Sequence, residues 1–157
     1  MRLIVLQVLH SLGIREIREA DDGADAFKVM RTFDADLIIC DWVMEPLDGI
    51  DFTRMVRSAK DSPNPFVPII MLTGHTEFYR VMEARDAGVN EFIAKPISAK
   101  SLYTRMVSVI ERPRPFVKIN TYYGPCRRRQ KMANFNGQDR RQVEPEHTDL
   151  SQAEVES

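Results

Sequence analysis

The chain has 157 residues, of which 43% are apolar and 29% charged, and its formal net charge is -1. This length and composition suit one globular domain with an appendage, and the low net charge gives no general attraction to nucleic acid or to an anionic membrane. Two cysteines, Cys40 and Cys126, do not make a disulfide framework, so we expect a reducing, cytoplasmic protein.

The N-terminal apolar run at residues 3–6 looks like the opening of a secretion signal. Gln7 and His10 interrupt it, no small-residue cleavage site follows, and the run is far too short to span a bilayer. Polar Gln7, His10 and Ser11 recur at intervals of three and four residues, which predicts an amphipathic helix that stops at Gly13. We therefore expect neither export nor membrane insertion.

Predicted strands and helices alternate along the rest of the chain. An alternating pattern predicts a short strand at 16–20, and a loop at 21–23 leads into a helix at 24–32. The later elements are a strand at 36–41, a helix at 49–59, a strand at 67–73, a helix from Thr76 or Glu77 to Gly88, a strand at 91–94 and a helix from the Ser98 cap to before Pro113. This order predicts a doubly wound α/β fold, a parallel sheet with helices on both faces.

Three of the predicted strands lead into different polar residues at their carboxyl ends, namely Asp41, Thr73 and Lys95. Because ligands of parallel α/β sheets bind outside the carboxyl ends of the strands, these side chains should converge at one site. A carboxylate, a hydroxyl and an ammonium group together suit a phosphoryl-accepting site in which the acid is the nucleophile. The alternative is that Asp41 merely ends a strand and that Lys95 is a solvated loop residue.

The stretch that begins at Asp41, together with Thr73 and the pair Lys95-Pro96, resembles the receiver domains of bacterial two-component response regulators, in a stand-alone, chemotaxis-receiver-like form. The resemblance covers roughly residues 1–113 and implies a flavodoxin-like sheet. It also implies phosphorelay signalling, in which a sensor histidine kinase or a phosphotransfer protein donates a phosphoryl group to Asp41. The phosphorylated domain would regulate a downstream protein by conformational change, and would not be an enzyme in its own right.

The resemblance assigns further roles to single residues. Thr73 and Lys95 would contact the phosphoryl group, and Thr73 would act as a switch together with Phe92, which stands where the family has its rotating aromatic residue. For Phe92 the alternative is an ordinary core aromatic, and for His75 it is an exposed loop residue. The residues expected to border the site are Glu45, His75 and Pro96.

The magnesium site that the resemblance implies is incomplete in this sequence. The family carries an acidic pair at the end of a first strand that precedes the first helix, whereas this chain begins at the helix. Asp21 and Asp22 follow the position of the second strand, so we do not expect them to replace that pair. Asp41 and the backbone carbonyl of Val43 remain as Mg²⁺ ligands, and we expect weak metal binding and poor phosphate uptake.

The missing first strand would lie centrally in the family's sheet, between the second and third strands. Its loss would leave backbone groups unpaired on both neighbours, which should be costly. We therefore expect that Met1 is an internal methionine of a longer protein, or that the chain is a fragment.

We divide the chain into an N-terminally truncated receiver domain at residues 1–115 and a polar, arginine-containing tail at 116–157 that has no core of its own. The tail shows little hydrophobic periodicity and its basic half is balanced by glutamates, so we expect it to be mostly disordered. Residues of the tail that could instead contact phosphates or stack on bases are Arg127, Arg128, Arg129, Lys131, Tyr122 and Tyr123.

Two alternative functions therefore stand beside the receiver hypothesis. The chain could be a pseudo-receiver, a binding module of the same fold that works without phosphorylation because its metal pair is absent. It could also be a receiver whose basic tail binds nucleic acid, although the tail is too poor in apolar residues to build a helix-turn-helix domain. We expect a protein partner and no membrane, and nucleic acid is the less favoured partner.

Overall fold

The computed structural model of the protein describes residues 2–74, 78–119, 122–127 and 146–148. In chain order the elements are α1 (Arg2–Ser11), α2 (Gly23–Val29), β1 (Ile38–Asp41), α3 (Gly49–Ser58), β2 (Ile69–Thr73), α4 (Phe78–Ala87), β3 (Glu91–Ala94), α5 (Ala99–Glu111), β4 (Phe116–Ile119), β5 (Tyr122–Pro125) and β6 (Glu146–Thr148). A parallel sheet in the order β1-β2-β3 forms the centre, and an antiparallel set in the order β5-β4-β6 follows. The predicted α/β alternation is confirmed from residue 23 onward.

The central strand β2 is buried at all five positions, because helices cover both faces of the sheet. Ile69 and Met71 pack toward one face with α2, α3 and α4, where Phe27, Phe52 and Ala84 complete the first core cluster. The alternate residues of β2 pack toward the other face with α1 and α5. The buried members of that second cluster are Val5, Val8, Leu9, Ile70, Leu72, Ile93, Leu102, Met106 and Val109.

Three helices begin at side chains that accept hydrogen bonds from their first turn. Asp22 accepts from the backbone N–H groups of Ala24 and Asp25 at the start of α2, and Asp48 accepts from that of Asp51 at the start of α3. Ser98 caps α5 in a reciprocal capping box with Ser101, as predicted for Ser98. Each cap contributes about 1 kcal/mol to helix stability.

The strand predicted at residues 16–20 is wrong, because this segment forms neither a helix nor a strand. Its alternation does place Ile17 against the second core cluster. A strand also needs a hydrogen-bonding neighbour, and within the described residues none lies beside it. Correspondingly, β1 pairs with β2 along one edge, and the described residues supply no strand for its other edge.

The segment that directly follows residue 115 is part of the folded domain and not a solvated tail. β4 and β5 form an antiparallel hairpin in which Phe116 pairs with Pro125. The Phe116 side chain is 1% exposed, and its ring meets those of Phe66 and Tyr123 edge-on, with centroids 5.2 and 6.2 Å away. The predicted domain boundary at residue 115 therefore needs correction, whereas residues 128–145 and 149–157 of the predicted tail lie outside the described residues.

Arg57 holds the amino ends of β2 and β3 together beneath this hairpin. Its buried guanidinium donates to the carbonyl oxygens of Pro65, Val67 and Gly88, at 2.7, 2.8 and 3.1 Å, and to Oδ1 of Asn90 at 2.9 Å. It also lies 5.0 Å from the centre of the Phe116 ring. Burial lowers the pKa of Arg57 to about 10, so the group is still charged at neutral pH.

Candidate functional site

The carboxyl ends of the three parallel strands bring the predicted polar residues to one edge of the sheet. Asp41 pairs with Leu72 in the β1–β2 ladder, and Thr73 pairs with Ala94 in the β2–β3 ladder. Thr73 is therefore one residue beyond the partner of Asp41. The backbone N–H of Lys95 donates to the Thr73 carbonyl at 2.8 Å, which continues the ladder to the residue that carries the ammonium group.

Asp41 and Lys95 form a close ion pair across the end of β2. The Lys95 ammonium donates to both carboxylate oxygens of Asp41, at 2.8 Å to Oδ1 and 2.6 Å to Oδ2. Their side chains are 25% exposed for Lys95 and 29% for Asp41, so solvent can still reach the pair. An ammonium group is a point charge with three donors, and can therefore follow an anion that rearranges on the carboxylate.

The loop after Asp41 folds back on the carboxylate and on the start of α3. The backbone N–H of Val43 donates to Asp41 Oδ1 at 3.2 Å, and the N–H of Gly49 donates to the Trp42 carbonyl at 2.9 Å. A Cβ atom at Gly49 would lie 2.3 Å from the Asp41 carbonyl oxygen, a distance that no side chain can adopt. Gly49 is thus required for the close approach of α3 to the strand end, a role that the sequence analysis did not assign to it.

The predicted bordering residues occupy different environments. The Lys95–Pro96 and Glu45–Pro46 peptide bonds are both cis. Glu45 and Pro96 are exposed, whereas Phe92 is half-buried and packs against the first core cluster. Thr73 is buried, with 3% of its surface exposed. His75 lies outside the described residues.

The residues at the site do not fit a magnesium ion held by several carboxylates. Within the described ranges, no three histidine, cysteine, aspartate or glutamate side chains gather to hold a metal. Asp22 is used as the α2 cap and Asp21 pairs with Arg2 at 3.0 Å. Asp41 itself is engaged by Lys95 through both oxygens. The predicted ligands, Asp41 and the Val43 carbonyl, could only supply part of a coordination shell completed by water.

The tyrosines that the sequence offers for stacking on nucleic-acid bases lie in the hairpin and make contacts within the domain. Tyr123 packs edge-on against Phe66, with ring centroids 5.7 Å apart. The Tyr122 hydroxyl donates to the Pro125 carbonyl at 2.7 Å, and the Arg127 guanidinium lies 4.1 Å from the centre of the Tyr122 ring. Both tyrosines therefore serve internal packing. The remaining basic residues of that prediction, Arg128, Arg129 and Lys131, lie outside the described residues.

Comparison with known proteins identifies the class of protein to which this fold and this site at the strand ends belong. The family model of the response regulator receiver domain matches residues 1–107. The chain belongs to this family, whose members are signalling proteins of phosphorelay systems and not classical enzymes. Among the described residues, no helix is long and apolar enough to cross a bilayer.

The similar proteins include chemotaxis receivers. The chain is 35% identical over 112 residues to chemotaxis protein CheY-3 of Vibrio cholerae, which covers 71% of this chain and 85% of that protein. It is 34% identical over 112 residues to chemotaxis protein CheY of Pseudomonas aeruginosa, covering 71% of this chain and 89% of that protein.

Two solved structures support the fold assignment. Chemotaxis protein CheY4 of Vibrio cholerae has a TM-score of 0.63 and 29% identity, covering 69% of this chain and 88% of the other. The receiver domain of a sensor histidine kinase of Pseudomonas aeruginosa, solved with a magnesium ion coordinated in its active-site cleft, has a TM-score of 0.58 and 30% identity. That comparison covers 68% of this chain and 84% of the other.

Proposed function

We propose that this protein is a cytoplasmic phosphorelay receiver that accepts a phosphoryl group on Asp41 and regulates a partner protein. The observation that carries the proposal is the contact of the Lys95 ammonium with both oxygens of Asp41, at 2.8 and 2.6 Å, across 54 residues of sequence. The donor would be a sensor histidine kinase, a phosphotransfer protein or a small acyl phosphate.

In the proposed transfer, a carboxylate oxygen of Asp41 attacks the phosphorus atom and the bond from phosphorus to the donor breaks. The product is an acyl phosphate on Asp41, and the donor leaves with the bonding electron pair. The Lys95 ammonium moves from the carboxylate to the phosphoryl oxygens, because the charge it neutralises has moved there. The Val43 N–H holds Asp41 in place during the attack.

Thr73 and Phe92 are the proposed switch residues. A hydrogen bond to a charged acceptor contributes about 1.5 to 3 kcal/mol, whereas inverting a 1:99 equilibrium takes about 5.5 kcal/mol. The Thr73 hydroxyl alone is therefore insufficient, and Thr73 and Lys95 together can reach that value at the upper end of the range, about 6 kcal/mol. Phe92 has no hydroxyl group, so packing against the first core cluster must hold its alternative positions.

One observation favours a second candidate, a pseudo-receiver that binds its partner without phosphorylation. Within the described residues, no cluster of carboxylates stands beside Asp41 to hold a metal. In that case Asp41 and Lys95 would serve as a structural ion pair between strand ends.

The fluorescence of Trp42 separates the two candidates, because Trp42 is the single tryptophan of the chain, is 4% exposed and follows Asp41 directly. Addition of a small acyl phosphate should change its emission in the wild-type chain. The change should be absent in Asp41→Asn. The phosphodonor is used at concentrations that saturate a known receiver. If the emission of a folded wild-type chain does not change under these conditions, the result favours the pseudo-receiver.

A further inference from the structure

The C-terminal hairpin lies against the turn that connects α4 to β3. Gly124 of β5 approaches Gly88 in this turn so closely that a Cβ atom on Gly124 would be 3.1 Å from the Gly88 Cα atom. Gly88 has a φ angle of +103°, a conformation that favours glycine. Gly88 also contacts Arg57, whose Nε donates to the Gly88 carbonyl oxygen at 3.1 Å. The turn is therefore held both by the buried arginine of α3 and by the hairpin.

Polar contacts from the ends of the hairpin reach the same region. The Arg127 Nε lies 3.4 Å from a carboxylate oxygen of Asp86, in the last turn of α4. Arg114, which comes just before β4, donates to the backbone carbonyl oxygens of Val89 and Asn90. These two residues connect α4 to β3. The polar contacts therefore fall at the carboxyl end of α4, as the contact between the two glycines does.

Packing on the domain holds α4 at the same end. The buried residues of α4 are Ala84 and Ala87, in the carboxyl-terminal half of the helix. Phe78 and Tyr79, at the amino end, are 77% and 63% exposed. Two alanine side chains bury little apolar surface, so their packing alone gives the helix a low local stability.

The contacts of α4 nearer its amino end are weaker. The Arg80 guanidinium lies 5.8 Å from the centre of the Trp42 ring, and Glu83 lies 3.8 Å from a guanidinium nitrogen of Arg54 in α3. Both arginines are partly exposed, so solvent screens these charge interactions and they contribute little.

A pocket of about 230 Å³ lies between the middle of α4 and the hairpin. Val81 and Met82 line it from α4, Phe92 lines it from β3, and Arg127 lines it from the hairpin. The hairpin therefore contacts the carboxyl end of α4 closely and leaves space beside the middle of the helix. A helix held in this way can shift or open along its length while its carboxyl end stays in place.

We propose that the hairpin segment, residues 114–119 and 122–127, is a strap that fastens the carboxyl end of α4. Loosening the strap should make α4 open more often, without the same effect on helices that the hairpin does not hold. A movement of α4 on phosphorylation of Asp41 would then pivot about the fastened end. That consequence rests on the proposed function, whereas the strap itself does not.

Hydrogen exchange of the full-length chain, measured by mass spectrometry on peptides from α2, α4 and α5, tests the strap. Gly124→Ala would place a methyl carbon 3.1 Å from the Gly88 Cα atom and 2.8 Å from the Tyr122 hydroxyl oxygen, so the hairpin must shift away from the turn. The amides of α4 should then exchange about tenfold faster, because local opening determines their rate. The amides of α2 and α5 should keep their wild-type rates.

Gly74→Ala is the matched control for Gly124→Ala. A Cβ atom on Gly74 meets nothing within 4 Å, so the same chemical change is made without a steric contact. Exchange in α4 should stay at the wild-type rate. Circular dichroism shows that each variant is folded.

Arg127→Gln loosens the strap without adding a methyl group, and decides the question if Gly124→Ala does not fold. It removes the contact with Asp86 and the packing of the guanidinium on the Tyr122 ring, whose centre lies 4.1 Å away. Because a partly exposed ion pair is weak, exchange in the last turn of α4 should rise only about threefold.

Arg31→Gln is the control for Arg127→Gln, because Arg31 makes the same two kinds of contact elsewhere on the domain. It pairs with Asp61 at 2.6 Å and lies 5.8 Å from the centre of the Phe27 ring. Its removal should leave exchange in α4 unchanged.

Two results would overturn the proposal. The first is wild-type exchange of α4 in both Gly124→Ala and Arg127→Gln, which shows that the hairpin does not hold the helix. The second is equal acceleration in α2, α4 and α5, which reports a general loss of stability and no specific strap. None of these measurements includes a phosphodonor, so failure here is distinct from failure of Asp41 phosphorylation.

Discussion

Gly49 determines how closely α3 approaches the strand end that carries Asp41. A Cβ atom there would meet the Asp41 carbonyl oxygen at 2.3 Å and the Met71 methyl at 3.2 Å. We therefore expect Gly49→Ala to lower the free energy of unfolding by about 1 to 3 kcal/mol, the usual range for overpacking a close contact. Urea unfolding measures this change.

Gly74 provides the matched control for this glycine. Gly74 directly follows the end of β2, and a Cβ atom built on it meets nothing within 4 Å. Gly74→Ala should leave the urea midpoint nearly unchanged. Equal destabilisation by the two substitutions would show that Gly49 does not lie as close to the Asp41 carbonyl oxygen as it does in the structure.

The two cysteines differ in reactivity because only one is buried. Burial, reinforced by the neighbouring Asp41 charge, raises the pKa of the Cys40 thiol to about 12. At pH 8 the Cys40 thiol is then almost entirely protonated, whereas Cys126 is partly exposed. A thiol reagent at pH 8 should add one label to the native chain and two to the unfolded chain, as measured by intact mass. Cys126→Ser should remove the native label, and its persistence would contradict the burial of Cys40.

Stability should follow the same ionisation at high pH. The pKa of Cys40 in the folded chain lies above the ordinary value of 9.0. The buried, protonated thiol therefore contributes its full share of the free energy of unfolding below pH 9. That contribution is lost between pH 9 and about pH 12, where the unfolded chain releases the thiol proton and the folded chain retains it. Arg57 acts in the opposite direction above about pH 10, because its pKa is lowered by burial.

Phe116 anchors the β4–β5 hairpin to the domain. This side chain is 1% exposed and lies between Phe66, Tyr123 and the Arg57 guanidinium. Phe116→Ala should therefore cost about 3 to 5 kcal/mol of stability, the range for removing a buried aromatic ring. Thermal and urea unfolding measure the loss.

Phe78→Ala is the matched substitution for Phe116→Ala, because Phe78 is 77% exposed. It should change stability by less than about 0.5 kcal/mol. If Phe116→Ala were as mild as Phe78→Ala, the hairpin would not be part of the folded domain and the original boundary at residue 115 would stand.

Local patterns in the sequence were sufficient to predict the central elements. The apolar run at 67–72 could only be a buried strand, and the Ser98 cap marked the start of α5. The alternation of apolar and polar residues at 16–20 indicates which side of the segment is apolar. It carries no information on whether a neighbouring strand is available. The prediction failed there because a strand requires that neighbour.

The hairpin could not be predicted because it depends on contacts between distant residues. Phe116 and Val117 are two apolar residues in a polar segment, and their burial follows from Arg57 and Phe66, about 50 to 60 positions earlier. The convergence of Asp41, Thr73 and Lys95 was predictable, because parallel strands place their carboxyl ends at one edge. That Asp41 and Lys95 form a direct ion pair could be established only from the structure.

The strand β3 connects the Asp41–Lys95 ion pair with the pocket beside α4. Lys95 follows its last residue and contacts Asp41, whereas Phe92 lies three residues earlier and lines a pocket beside α4. In our account, a phosphoryl group that draws Lys95 away from the carboxylate also changes the position of β3. The environment of Phe92 would then respond to the state of Asp41.

The intact mass of the chain after incubation with Mg²⁺ and a small acyl phosphate tests this account most directly. Because the metal site is incomplete, we expect only part of the wild-type population to gain the mass of one phosphoryl group, Asp41→Asn to gain none and Lys95→Ala to gain much less. Asp41→Asn should remain folded, because a partly exposed ion pair contributes at most about 1 kcal/mol. A folded wild-type chain that gains no mass, or an Asp41→Asn variant that still gains it, would contradict the assignment of Asp41 as the phosphoacceptor.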